Sequence, residues 1–186
     1  MNKNLLIVGA GIYGLVVKEI AESLEIFETI SFIDDRAENA SDGTKVLGKT
    51  SDIDKLIRDH QNIIVAIGNP EVRLKLLQEL SQNTMCHIVT LVSPKAYVSP
   101  SAQIGCGCII EPMAVVHAGC VLETGCIISA GAVVNHASTC CDGVHVDCNA
   151  TVPGYSKVPP ATKVYSGTVF KTQNDLPLLR DFDIKA

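Results

Sequence analysis

The chain has 186 residues, enough for one ordinary domain or two small ones with modest cores. Hydrophobic residues make up 47% and charged residues 19%, the balance of a compact folded protein rather than a disordered one. A net charge of -5, no cluster of Lys or Arg, and only four Phe and four Tyr argue against a nucleic-acid or anionic-membrane surface.

The N-terminus runs directly into "NLLIVGAG" with no cleavable-signal pattern, and no segment approaches the roughly 18 apolar residues of a membrane span. The expectation is a cytoplasmic protein with no membrane partner. Leu5 to Val8 reads as a buried strand entering a glycine turn, and "YGLVVKEIAESL" follows with apolar residues at helical spacing. "TISFIDD" is a second strand ending at Asp34 and Asp35, and "DIDKLIRD" is a short helix. "NIIVAIGN" is a third strand, and "PEVRLKLLQELSQ" is a helix with proline in its first turn. Strand and helix in alternation predict a small parallel α/β domain over residues 1–88, half of a Rossmann-like fold.

From about residue 89 the period becomes six. Every sixth residue from Val92 to Phe170 is apolar, fourteen positions in one register, and small or β-branched residues such as Ala96, Cys108, Cys126 and Ala132 stand two places earlier. This is the pattern of a hexapeptide parallel β-helix, in which three hexapeptides make one triangular coil and positions 18 apart stack at about 4.8 Å. The β-helix is expected over 89–170, with "VPGYSKVPPATKVYSG" as its last coil. The tail 171–186 leaves the repeat and is expected to cap the last coil.

Eight cysteines occur in CxC and CC spacings ("IGCGCII", "STCCDG"), poor for a tetrahedral metal site. They read as reduced thiols, with Cys108 stacked on Cys126 inside the prism. His117, His136 and His145 lie beside core positions and are expected to project outward, with His117 stacked over Asn135 next to His136. Their intervals of 19 and 9 residues do not suit a metal centre, and none is expected. Glu111 and Glu123 read as solvated, and His60 and His87 as structural.

"GAGIYG" places Gly9, Gly11 and Gly14 between a strand and a helix, with Asp34 ending the next strand, which satisfies the dinucleotide fingerprint formally. Residues 1–88 supply only half of a dinucleotide fold, so hydride chemistry fits poorly. A nucleotide diphosphate held by the same loop and helix N-terminus, or a glycine turn used only for packing, are the other readings.

The segments "IVGAGIYG", "SFIDDR", "VAIGNPEVR" and "VVNHASTCCDGVH", in this order, resemble the sugar acyltransferases related to sialic acid O-acetyltransferase. Within them the chain looks most like the bacillosamine-pathway branch that N-acetylates UDP-4-amino sugars. The resemblance implies a left-handed β-helix, acetyl-CoA as co-substrate, a UDP-sugar substrate and a homotrimer. It implies that Gly9, Gly11, Ile12, Tyr13, Asp34, Asp35, Arg36, Gly68 and Asn69 hold the nucleotide sugar, that His136 is the catalytic base, and that His145 and Ser166 meet acetyl-CoA. The chain departs from the family pattern at Ala137, where an acid usually follows the catalytic histidine, at "IYG" where G-H-G is common, and at His117 in place of an asparagine. The β-helix also ends about one coil early. The expected reaction is direct transfer from acetyl-CoA to the 4-amine, with His117, Asn135 or Asp142 of an adjoining subunit as substitutes for the missing acid. O-acetylation by the same machinery, and nucleotide-sugar binding without transfer, are the alternatives.

Overall fold

The computed structural model describes residues 3–171. The expected tail therefore lies, apart from Lys171, outside the described residues.

The N-terminal unit contains β1 (Asn4–Val8), α1 (Ile12–Ser23), β2 (Thr29–Ile33), α2 (Ile53–Leu56), β3 (Asn62–Val65), α3 (Pro70–Ser81) and β4 (His87–Ile88). Its sheet runs β2-β1-β3-β4, with every pairing parallel. Leu5, Leu6, Ile7 and Val8 are all buried because layers cover both faces of β1, which is why this strand is a continuous apolar run without alternation. α1 begins at Gly11 without a side-chain cap, whereas Asn69 caps α3 by accepting the Val72 amide at 3.1 Å, and Pro70 follows it. The helix expected at 52–59 closes only Ile53–Leu56, preceded by a short 3-10 turn, and β4 adds a strand that the apolar runs do not announce.

Thirteen two-residue strands follow, one in each hexapeptide: β5 (Leu91–Val92), β6 (Tyr97–Val98), β7 (Gln103–Ile104), β8 (Ile109–Ile110), β9 (Val115–Val116), β10 (Val121–Leu122), β11 (Ile127–Ile128), β12 (Val133–Val134), β13 (Thr139–Cys140), β14 (His145–Val146), β15 (Thr151–Val152), β16 (Lys157–Val158) and β17 (Lys163–Val164). They form three parallel sheets: β5-β8-β11-β14-β17, β6-β9-β12-β15 and β7-β10-β13-β16. Partners lie 18 residues apart, as in Ile109↔Ile127 and Val116↔Val134, so each coil is one triangle. Val116, Val134 and Val152 form one of the buried interior columns. All eight cysteines are free, and Cys108 and Cys126 stack in the interior as the six-residue period requires.

The N-terminal unit sits on the outer face of the five-stranded sheet. Leu91, Ile109 and Ile127, the outward residues of β5, β8 and β11 (Ile127–Ile128), are buried against Leu5, Ile7, Val17 and Phe32. α3 packs on the corner leading into that sheet: Gly143 has φ +69°, and a Cβ there would fall 2.6 Å from the Leu74 side chain, so both conformation and contact demand glycine.

Candidate active site

Three places concentrate chemistry-bearing residues. The first is a cleft of about 600 Å³ at the glycine loop, lined by Gly9, Asp34, Asp35, Arg36, Thr50, Ile67 and Lys75, among others. It lies at the carboxyl ends of β1 and β2, where open parallel sheets bind ligands. Gly14 lets α1 approach this loop, since a Cβ there would strike the Gly9 carbonyl. Asp34 fastens the loop: one carboxyl oxygen accepts the Ala10 amide at 2.9 Å, and the other accepts the amides of Arg36 and Ala37 at 2.8 and 3.0 Å. Partial burial works to raise its pKa, but the three amides and the Arg36 charge outweigh it and hold the carboxyl below the ordinary Asp value. Asp35 accepts the Thr50 amide and hydroxyl at 2.9 and 2.8 Å. Arg36 is exposed and makes no ion pair among the described residues.

The remaining loop residues diverge. Ile12 is 72% exposed and Gly11 is also exposed, whereas Tyr13 turns inward toward the β-helix. Its buried Oη lacks a hydrogen-bond partner among the described residues, and burial, then the Glu111 carboxyl, push the phenol well above its ordinary pKa. Gly68 and Asn69 line a second, polar cleft of about 500 Å³, facing Ala161, Lys163 and Tyr165 of the last coil. A more apolar groove of about 360 Å³ between α1 and the first coil holds none of the residues expected at a site.

The third place is the corner after β12 (Val133–Val134). His136 is exposed there, its ring edge-to-face with Tyr155 at 5.0 Å and packed over Gly154. Neither ring nitrogen has a hydrogen-bond partner among the described residues. The Asn135 side chain is spent on the His136 backbone amide at 2.8 Å, and His117, stacked over Asn135, meets Tyr97 edge-on at 6.4 Å. Ala137 occupies the left-handed region at φ 55°. The chain passes from the five-stranded sheet to the sheet of β12, then through the His136 corner to the third sheet. That corner is therefore the vertex opposite the face carrying the N-terminal unit.

His145 follows a different course. Its ring projects outward from the prism as expected, yet it is only 6% exposed because the N-terminal unit covers it. Nε2 lies 3.1 Å from Ser129 Oγ, and Nδ1 lies 3.3 Å from the Gly68 carbonyl. Burial first, then the Lys163 and Arg73 charges, lower its pKa to about 4 against the pull of Asp147, so the imidazole is neutral at pH 7. Ser166 is exposed in the turn after β17, its hydroxyl donating to the Cys148 carbonyl at 2.8 Å.

Two residues have weight that the motifs do not disclose. Arg73 is fully buried and donates to the carbonyls of Gly125 (2.7 Å), Gly143 (2.6 Å), Ile67 (2.7 Å) and Gly68 (3.1 Å). Glu111 corrects the expectation of a solvated residue: it is 6% exposed, accepts the Ala130 amide at 2.9 Å, and lies 3.1 Å from Ser129 Oγ. Tyr13 and the covering N-terminal unit remove it from water. The signal was available, since Ser129 stands 18 residues after Glu111 and must stack on it. His60 and His87, expected to be structural, lie within hydrogen-bond reach of Ser31 Oγ and Asn62 Oδ1, each at 3.0 Å. Among the described residues no group of three or more His, Cys, Asp or Glu is placed to hold a metal ion, and no helix is long and apolar enough to cross a membrane.

Residues 4–80 match the PglD N-terminal domain, and residues 101–136 match the bacterial transferase hexapeptide repeat. A Bacillus subtilis (strain 168) UDP-N-acetylbacillosamine N-acetyltransferase is 31% identical over 111 residues, covering 58% of this chain and 51% of that protein, so the match spans about half of the curated relative. The acetyltransferase domain of PglB from Neisseria gonorrhoeae FA1090, solved in complex with acetyl coenzyme A, is 32% identical with a TM-score of 0.87, over 93% of this chain and 84% of that one. PerB from Caulobacter crescentus, solved with CoA and GDP-perosamine, shares the fold at 20% identity and a TM-score of 0.69, over 90% of this chain and 88% of that one. The chain belongs to the hexapeptide-type sugar acyltransferase family that joins a PglD N-terminal domain to a left-handed β-helix.

Proposed function

We propose that the protein is an acetyl-CoA-dependent N-acetyltransferase acting on a UDP-linked 4-amino sugar in the cytoplasm, with His136 as general base and a homotrimer as the working unit. The placement of two features supports this most directly. The glycine-loop cleft lies on one side of the prism, and the exposed His136, whose ring nitrogens have no hydrogen-bond partner among the described residues, lies at the opposite vertex. A reaction that uses both takes them from different copies. The half-exposed outward valines Val115, Val121 and Val133 give those copies apolar faces to share.

In this reading the uncapped N-terminus of α1 and Arg36 meet the diphosphate, and Asp34 keeps the loop in shape. Gly9, Gly11, Ile12 and Tyr13 form the loop around the nucleotide, with Asp35 at its rim and Gly68 and Asn69 as the turn beyond it. The sugar 4-amine attacks the thioester carbonyl carbon and forms the C–N bond, while a His136 ring nitrogen accepts the amine proton. Coil backbone amides hold the tetrahedral oxyanion. Its collapse breaks the C–S bond, and the imidazolium proton leaves with the CoA sulfur. Ser166 offers an exposed hydroxyl to acetyl-CoA, while His145 meets the cofactor only through the ring edge left uncovered.

One observation favours a second reading, nucleotide-sugar binding without transfer: among the described residues no hydrogen bond orients the His136 ring, and Ala137 supplies no acid. Complementation separates the two. His136→Ala and the Asp35→Ala/Arg36→Ala double variant, each expected to be strongly impaired alone, should regain acetyl transfer when co-assembled. No recovery in a mixed assembly contradicts a site shared between copies.

A further inference from the structure

Gly119, Ala137 and Tyr155 follow one another at intervals of 18 and so occupy one corner column of the prism. All three lie in the left-handed region, at φ 68°, 55° and 59°, where glycine is at ease and a side chain is strained. Tyr155 carries the largest side chain of the column, and burial does not offset the strain, because the residue is 75% exposed. What its ring does meet is His136, edge-to-face, with centroids 5.0 Å apart and planes at 79°. An exposed aromatic held in a strained conformation against a candidate base points to a use beyond folding.

The turn that carries Tyr155 is fixed to the turn that carries His136. The Tyr155 amide donates to the His136 carbonyl at 3.1 Å. Below them the buried Ser138 hydroxyl donates to the Pro153 carbonyl at 2.7 Å and accepts the Ser156 amide at 3.3 Å. Gly154 is the floor of the pair: a Cβ there would fall 2.9 Å from His136 Cε1 and 3.2 Å from each ring nitrogen. Gly154 lies outside the left-handed region, so the imidazole above it, and not its own backbone, is what calls for glycine.

A general base must aim a nitrogen lone pair along the path of the proton, and an imidazole free to turn about its Cβ–Cγ bond does so only part of the time. Acids beside catalytic histidines commonly fix the ring by a hydrogen bond to one nitrogen. Gly154 beneath and the Tyr155 ring at the side restrict the same rotation by packing, and neither engages a nitrogen.

We propose that Tyr155 is a positioning residue for His136, its ring holding the imidazole plane over Gly154 in place of the orienting acid that Ala137 lacks. The role rests on the acetyltransferase reading above. An aromatic wall carries no charge, so an acid introduced at 137 would add to its effect.

Tyr155→Gly is the discriminating variant, because the backbone there suits glycine and the fold should keep its unfolding temperature. With acetyl-CoA and a UDP-4-amino sugar, kcat should fall about tenfold while KM for both substrates stays unchanged. The His136 ring-proton resonances, assigned against His136→Ala and compared at one pH, should lose their ring-current displacement. Tyr155→Phe, which keeps the ring and drops the hydroxyl, should recover most of the rate and the displacement. Gly154→Ala should slow transfer with Tyr155 in place, since its methyl takes the space of the imidazole. Unchanged kcat in Tyr155→Gly overturns the proposal. So does a rise in KM for acetyl-CoA at constant kcat, which assigns the ring to the cofactor, or dissociation of the assembly, which assigns it to an interface. No transfer by the native protein removes the acetyltransferase reading and this role together, whereas native transfer that Tyr155→Gly matches removes this role alone.

Discussion

Arg73 Nη2 reaches the Gly143 carbonyl at 2.6 Å, joining a residue of the N-terminal unit to a corner of the β-helix 70 positions away. The same guanidinium donates to Gly125, Ile67 and Gly68, so one cation replaces its hydration with four carbonyls and ties the 67–68 turn to the prism. No carboxylate pairs with it among the described residues, and burial lowers its pKa while leaving an arginine charged at every working pH.

Arg73→Met keeps the stem and removes the donors, leaving buried carbonyls unpaired. The expected loss is about 3 kcal/mol in urea unfolding, from the cost of orphaned buried acceptors. A loss below about 1 kcal/mol would show that water or local rearrangement satisfies those carbonyls.

Asp34 spends both carboxyl oxygens on backbone amides, including that of Ala10 in the glycine loop. Asp34→Ala should weaken UDP binding about tenfold, through a slackened loop and the loss of charge-assisted bonds. Calorimetry checks this, and unchanged affinity would separate the cleft from the loop geometry.

His145 gives stability a pH dependence whose sign is fixed by its lowered pKa. The unfolded ring titrates at about 6.5 and the folded ring at about 4, so between these values the unfolded chain binds more protons. The ring's contribution is complete above the upper value and is lost as pH falls toward the lower one, about 3 kcal/mol in all. Unfolding free energies measured from pH 7.5 to 4 should show this fall, and His145→Gln should flatten it.

Ala137 has φ 55°, a region that aspartate enters more readily than most side chains, and it follows the proposed base directly. Ala137→Asp should raise kcat several-fold at pH 7 by orienting the His136 ring, with the KM for the sugar unchanged. No gain in kcat would mean that a neighbouring copy already supplies the orienting group.

Legibility differed with the physical origin of each feature. The β-helix is written in its period: when Ile109 must stack on Ile127, each hexapeptide repeats one environment, and an apolar residue at every sixth place follows. The cleft was legible at Gly9 and Asp34, because a tight turn and the end of a strand each have a residue signature. Tyr13 was legible as part of the loop but not in its direction, since it turns inward onto residues such as Glu111, almost a hundred positions away, that no local pattern announces. Glu111 and His145 were read from the prism alone, where both point outward. Their burial arises because Leu91, Ile109 and Ile127 make that face sticky and the N-terminal unit docks there, a tertiary event with no local pattern. Arg73 looked like one more polar residue of "GNPEVR" until the carbonyls it reaches were in place.

The most direct test of the central claim is mass spectrometry of purified protein incubated with acetyl-CoA and a UDP-4-amino sugar, beside the His136→Ala variant. The native protein should add one acetyl group to the sugar, and the variant should be slower by a factor of about 10²–10⁴ with nucleotide-sugar binding retained. Acetylation at the same rate by His136→Ala, or no product from native protein that binds the nucleotide sugar, would contradict it.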